Sequence, residues 1–526
     1  MIKTKPTVSN TKSDALLQLI LSMSKAEKRA FSLYVNRSGN PEELLYYKVF
    51  LEINKRKSFD DAVILDRVGG LKASQLPNVK ANLYRHILKS LRHLYGKNDQ
   101  YNLVEKFDYA RILYDKGLYF QSLDQLQKCK IQAEELQEHF ILGDILQFEK
   151  FIESQYVTRS VGDRAALLSR QSDEALDRIS QTTVLSNKAL QMYDWYLKNG
   201  YVKNFEEKER LSRYFYGDMV ELQLHASGFY EQIYYHQAYM WYYYIAQDFQ
   251  NYYRHCLKFV DAFEEYPKMK KVNLMIYMKA IHNTCNALFF MNSYERYYDW
   301  FEKFAGIRSQ IPSKKSNVEG LYYLYYYLHR IDLYILEGRF RDSLEWLPRL
   351  TDLVLENPYN WDLHRILVFY YKIACLYFGS DEYGKAIDYL NLIINQKPYD
   401  IRTDIQSYAR ILNLISHYEL GNRRLLQYQM KSVYRYLAKM EELQKVHQYI
   451  FAFLRKMPSM KLLEVKDHFR ELKMQLEGLQ HDPIENRFFL YLDILSWLES
   501  KISNRTVESV IQEKFVGKIR EDRIGG

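Results

Sequence analysis

Glycine and proline are scarce in this 526-residue chain, at 20 and 10 residues. So small a share excludes collagen-like, linker-like and proline-rich disordered classes. Cysteine is scarcer still. Cys129, Cys256, Cys285 and Cys375 lie far apart and form no C-x-x-C pair, which points to a reduced chain rather than a disulfide framework. No uncharged apolar run approaches the ~18 residues of a membrane helix, and Met1 to Val8 holds no apolar signal core. The expectation is a cytoplasmic protein without a membrane partner. Gly-rich phosphate loops, the H-E-x-x-H zinc pair and the G-x-S-x-G elbow are all missing. No cofactor, metal or catalytic role is therefore expected, and the chain reads as a non-enzyme.

What is abundant is tyrosine, with 49 residues, in a chain that is 47% hydrophobic and 16% aromatic. That supplies a large core and argues against wholesale disorder. The formal charge of +9 is unevenly placed. Residues 1–100 hold 12 Lys and 6 Arg against 9 Asp and Glu, so the remainder balances at zero. A basic segment can bind a polyanion, or be an ordinary solvated surface.

Within residues 1–97, helix starts are marked by two capping boxes, Ser24 to Glu27 and Asn40-Pro41-Glu42-Glu43. The helix from Pro41 places Leu44, Tyr47 and Leu51 on one face, and Gly69-Gly70 marks a break. A helix from about Asn78 to Tyr95, stopped by Gly96, is two-faced. Leu83, Ile87, Leu91 and Leu94 share one arc, and Arg85, Lys89 and Arg92 lie opposite. These three form a candidate basic patch for nucleic acid or an acidic partner. The competing reading is a solvated face on a helix docked by its leucines.

From residue 98 the chain becomes a series of amphipathic helices, with no period-two alternation to suggest sheet. The clearest unit runs from Tyr370 to Pro398. Ala374 and Ala386 stand twelve apart, Tyr377 and Tyr383 lie between them, and a proline closes the unit. This unit resembles the tetratricopeptide repeat (TPR), in which two small residues let antiparallel helices approach closely. Weaker copies centre on Ala110 and Ser122, on Ile331 and Ser343, and on Cys285 with Tyr294 and Tyr297. Others centre on Tyr243 with Phe249 and Tyr252, and on Leu414 and Leu426 around Gly421. Bulky residues in place of the small ones imply wider helix spacing. Gln137 to Arg213 suggests three or four helices, among them 147–156 and 187–197, and Ile311 to Asn317 reads as a mobile connection. Asp482-Pro483-Ile484-Glu485 is a further capping box, followed by a face of Ile484, Phe488, Leu492 and Leu495. A last helix carries Val507, Val510, Ile511 and Phe515, and the tail from Arg520 is expected to fray.

The layout also resembles a group of uncharacterised TPR-like proteins from Bacteroidota. The likeness rests on Lys25-Ala26-Glu27-Lys28-Arg29, Leu88-Lys89-Ser90-Leu91-Arg92 and Ser496 to Lys501. The resemblances imply an all-α chain: a basic N-terminal helical domain (1–97), an α-solenoid of degenerate antiparallel helix pairs (98–480) and C-terminal capping helices (481–526). In such arrays the first helix of each pair lines the concave face. The chaperone-binding members carry a Lys and Asn clamp there. The corresponding positions are Tyr371 and Cys375, Leu328 and Asp332, His282 and Asn286. Only Asn286 fits, so binding of an acidic chaperone tail does not carry over.

Histidine offers no ligand set. His225 with His236, or His282 with Cys285, lacks further ligands and reads as core packing. The tyrosine clusters on two helices are the candidate peptide-binding groove: Tyr235, Tyr239, Tyr242, Tyr323, Tyr326 and Tyr327, with Tyr370 on a third. Tyrosine offers rigid contact area plus a hydroxyl, or simply fills wide gaps between helices. The leading expectation is a scaffold that binds a peptide or protein partner. The alternative is a regulator whose basic N-terminal segment contacts DNA or RNA.

Overall fold

A computed structural model gives residues 15–37, 44–56, 60–155, 163–222, 228–311, 316–396, 402–440, 443–456, 465–480 and 493–525, with Asp482, Glu485 and Phe489. Among the described residues the fold is all-α, with no strand. It opens with α1 (Ala15–Ser22), α2 (Lys25–Asn36), α3 (Leu45–Arg56), α4 (Asp61–Arg67) and α5 (Leu76–Leu94). The capping box before α2 is present, with Ser24 N donating to Glu27 Oε2 at 2.5 Å and Glu27 N to Ser24 Oγ at 3.2 Å. The Asn40 box lies outside the described residues. Phe31, Phe50, Leu83 and Ile87 join one buried cluster. On α3 the buried face is Tyr46, Val49, Phe50 and Ile53. Leu51 is instead 46% exposed, because the register is one residue from that inferred from Leu44 and Tyr47. Leu94, at the end of α5, is also exposed.

Next come α6 (Asp99–Asp115), α7 (Tyr119–Glu135), α8 (His139–Gln155), α9 (Arg164–Asn199) and α10 (Phe205–Leu222). Residues 187–197 are not a separate helix. They are the last part of α9, 36 residues long. Its many Ser, Thr and Asn residues resemble breaks in sequence, yet Leu185, Ala189 and Met192 are buried and hold it together.

Then follow α11 (Phe229–Ile245), α12 (Phe249–Glu265), α13 (Lys268–Val272), α14 (Leu274–Phe290), α15 (Tyr294–Gly306), α16 (Asn317–Glu337), α17 (Phe340–Ser343) and α18 (Leu347–Glu356). The series continues with α19 (Leu363–Gly379), α20 (Tyr383–Ile394), α21 (Thr403–Glu419), α22 (Arg423–Lys439), α23 (Lys445–Lys456) and α24 (Val465–Glu477).

Six hairpins obey one rule. Residues twelve apart are both buried in each: Ala110/Ser122, Met240/Tyr252, Cys285/Tyr297, Ile331/Ser343, Ala374/Ala386 and Leu414/Leu426. Seven residues after the first member comes a residue of positive φ: Gly117, Gln247, Asn292, Gly338, Asp381 and Gly421. The next N–H then donates to the carbonyl five residues back, as from Leu118 to Leu113 and from Glu382 to Tyr377, at 2.9 Å in both. A left-handed residue with this backbone bond stops a helix and reverses the chain. Where the pair is small, the helices touch: Ser122 Oγ donates to Ala110 O at 2.7 Å. Where it is large, the side chain reaches the next hairpin. Tyr252 of α12 donates to Asn283 of α14 at 3.2 Å, and Tyr297 of α15 lies 2.9 Å from His329 Nδ1 of α16.

The chain ends with α25 (Ile494–Ser503) and α26 (Val507–Gly525), which share the large core of α11–α24. They do more than cover the last hairpin. Trp497 Nε1 and Lys501 Nζ hold Glu419 of α21 at 2.6 and 2.5 Å. Helix α26 then runs back to the α16–α17 turn. Gln512 Nε2 donates to Gly338 O at 3.0 Å, Glu508 accepts from Arg341 N at 3.0 Å, and Phe515 packs edge-on against Tyr294 at 4.5 Å. The tail expected to fray continues this helix to Gly525. Asp482 caps Glu485 N at 3.1 Å. Pro483, Ile484, Phe488 and Leu492 lie outside the described residues, as do Pro398 and most of the 311–317 connection.

Gly379 gives a direct test of hairpin packing. A Cβ there would stand 2.4 Å from the Phe340 ring of the preceding hairpin. Gly379→Ala is expected to cost about 1–3 kcal/mol by chemical denaturation. A change within a few tenths of a kcal/mol would show that the α17–α19 contact is loose.

Candidate functional site

A cavity of about 660 Å³ lies among the first helices of successive hairpins and the C-terminal segment. All six positions that the repeat register marked line it: His282 and Asn286 on α14, Leu328 and Asp332 on α16, Tyr371 and Cys375 on α19. Successive first helices thus present the same register to one space. Tyr244 of α11 contributes from one side, and Ile511, Lys514 and Phe515 of α26 from another.

The wall between α14, α16 and α19 is polar and self-satisfied. Lys372 pairs with Asp332, which is 2% exposed. His282 Nδ1 lies 2.8 Å from His329 Nε2, and His282 Nε2 lies 3.1 Å from Asn286 Nδ2. Tyr297 completes the chain through its contact with His329. The His282 ring also stacks on Tyr325 at 3.8 Å. Burial pushes the Asp332 carboxyl up, against the pull of Lys372. Burial and then Lys372 lower His329 to about 3. Burial, then His329 and nearby cations, hold His282 well below its usual range. Both imidazoles are therefore neutral at physiological pH, where each donates one hydrogen bond and accepts another.

The candidate tyrosines lie elsewhere, and none of the seven lines this cavity. Tyr239, Tyr242 and Tyr327 are buried. Tyr239 stacks on His255 at 4.6 Å and Tyr242 on Phe215 at 4.5 Å, while Tyr327 lies in the core beside Trp346. Such rings fill gaps between helices. Tyr235, Tyr323, Tyr326 and Tyr370 are half-buried. Tyr323 takes the Arg308 guanidinium over its ring, and Tyr326 stacks on Phe301. Tyr371, one residue beyond Tyr370, lines the cavity. In the basic patch, Arg85 and Lys89 are exposed. Arg92 turns onto α6, bonding Tyr101 O at 3.0 Å and approaching Glu105 at 3.4 Å.

His236 meets His255 at 3.2 Å, and His225 lies outside the described residues. Cys285 is buried. Among the described residues no group of three or more His, Cys, Asp and Glu is placed to hold a metal ion. None of their helices is long and apolar enough to cross a membrane. Sequence reasoning found His282 and Asn286 but missed His329 and Lys372. The i, i+4 spacing marks the first pair, whereas no local signal links α14 to α16 and α19. In comparison with known proteins, no protein family, curated protein or solved structure matches the chain.

Removing Lys372 leaves a buried carboxylate alone. Lys372→Met is expected to cost about 3–5 kcal/mol, and adding Asp332→Leu to restore most of it. Urea denaturation of both variants checks this, and a double variant no better than the single one refutes it. The histidines set an acid limit. Their folded pKa lies below the unfolded 6.5, so their stabilisation is complete above 6.5 and lost as pH falls towards the folded value. Asp332, with its raised pKa, works in the opposite direction. For His329 alone the loss approaches about 1.4 kcal/mol per pH unit below 6.5. Urea midpoints between pH 7.5 and 5 should fall, and His329→Asn should flatten the slope. An equal slope in both proteins would place the acid sensitivity elsewhere.

Proposed function

We propose that the chain is a non-enzymatic α-solenoid scaffold of TPR-like helix pairs that binds a peptide or protein segment along its concave face. The observation that carries this reading is the convergence of His282, Asn286, Leu328, Asp332, Tyr371 and Cys375 on one cavity. Equivalent positions of stacked hairpins form one continuous surface, the geometry by which repeat proteins hold extended partners. The pairing among Lys372, Asp332, His282 and His329 supports a binding wall rather than a reacting centre. These groups are committed to one another, which gives a partner a fixed pattern of polar and apolar contacts. Of the tyrosines, Tyr244 and Tyr371, which line the cavity, are contact candidates in this reading.

The test is affinity capture from lysate of the native source, comparing the full chain with a Leu328→Arg, Val368→Arg variant. Both residues line the cavity and are half-buried. Partners bound by the parent should fall by about tenfold or more on the variant, if it retains parental circular dichroism. Recovery of the same partners at equal yield removes the cavity from the binding surface.

A further inference from the structure

Beyond residue 100 acidic and basic residues balance in number but not in place. Helix α22 carries Arg423, Arg424, Lys431, Arg435 and Lys439 and no Asp or Glu. Helix α23 adds Lys445, Arg455 and Lys456, again with no acid. The two helices meet through Tyr434 and Phe451, whose ring centroids are 5.7 Å apart. On α22 the cations fall on one line. At about 100° per residue, Arg424, Tyr428, Lys431, Arg435 and Lys439 share an arc of about 80°. All five are exposed. Leu426, Met430, Val433 and Leu437 lie opposite and are buried. From Arg424 to Lys439 the stripe runs about 22 Å at a rise of about 1.5 Å per residue.

Other basic helix faces in the chain are matched by acids. On α24, Arg470 takes Asp467 and Lys473 takes Glu477. On α5, Lys80 takes Asp61 and Arg92 approaches Glu105. Among the described residues, the side chains of Arg424, Lys431, Arg435 and Lys439 make no ion pair or hydrogen bond. Lys431 with Arg435, and Arg435 with Lys439, are like charges four apart, which repel along a helix. A row of anions laid on the stripe relieves that repulsion. Tyr428 stands in the same line between Arg424 and Lys431, and is 76% exposed. Its ring faces are therefore open to a planar guest. A lipid surface needs an apolar outward face, and the apolar face of α22 is turned into the fold. A duplex offers phosphates but keeps its bases stacked inside. An unpaired strand offers phosphates and free base faces together, the combination that exposed cations and aromatics hold. In RNA, loops, bulges and ends supply such strands.

We propose that the outward face of α22 binds single-stranded RNA, with phosphates along Arg424, Lys431, Arg435 and Lys439 and a base stacked on Tyr428. This surface is separate from the 660 Å³ cavity, which no described residue of α22 lines.

The experiment is fluorescence anisotropy of the full chain with labelled oligo(U) of about 20 nucleotides, at about 50 and 200 mM salt. Unlabelled oligo(U), its duplex with oligo(A), oligo(dT), polyglutamate and phosphatidylserine vesicles serve as competitors. Oligo(U) should bind saturably, and the higher salt should weaken it about tenfold or more. Arg424→Gln, Lys431→Gln and Arg435→Gln combined should weaken binding about tenfold or more, and Tyr428→Ala about fivefold or more. Both variants change exposed residues and should keep the parental unfolding temperature. Lys128→Gln, Arg170→Gln and Lys198→Gln combined remove as many exposed cations, each paired with an acid on its own helix. That control should bind within about twofold of the parent. The proposal is overturned if oligo(U) does not bind at up to about 100 µM protein. It is equally overturned if the duplex, polyglutamate or the vesicles compete as well as oligo(U), or if oligo(dT) competes better. Parental binding by either α22 variant, or an equal loss in the control, overturns it too.

Discussion

One backbone feature carries the architecture from α11 to α22. A residue in the left-handed conformation, seven places after a buried packing residue, stops each first helix and aims the second back along it. The bond from the next N–H to the carbonyl five residues back satisfies a helix-end acceptor that would otherwise be stranded. Turn and packing pair thus share one register in each of these hairpins. At α14, α16 and α19 that register brings equivalent positions to one cavity.

The polar interior follows from the large packing pairs. Tyr252 and Tyr297 sit where a small residue would let helices touch. Each is too long for its own hairpin and extends a hydroxyl into the next one. The hydroxyl must be bonded once buried, so the receiving helix supplies Asn283 or His329. From His329 the pairing passes to His282 and Asn286. The wall is thus assembled from groups that each need the neighbouring hairpin in place.

The α19–α20 hairpin was legible because Ala374 and Ala386 are small and Tyr377 and Tyr383 flank the turn. The others were faint for a physical reason. Three of the six left-handed turn residues are Gln247, Asn292 and Asp381 rather than glycine, so the reversal carries no clear mark. Met240 with Tyr252 keeps the register but hides the small-residue signal. The long α9 was read as shorter helices, since hydroxyl residues in a helix resemble breaks until tertiary contacts are known. In the candidate site the repeat register located the lining positions, while composition alone drew attention to tyrosines that do not line this cavity. Period and phase were legible. Partners across helices distant in sequence, such as Lys372 with Asp332, were not.

The hydrogen bond between Gln512 and Gly338 joins residues 174 apart. A ribosome that adds about 5–20 residues per second takes roughly 10–30 s to cross that interval. During it, the turn at Gly338 already has both its flanking helices, but Tyr294 and Arg341 await Phe515 and Glu508. Until α26 is made, the side of the cavity that Ile511, Lys514 and Phe515 line stays open. That wall is hung after the helices that carry the other lining residues.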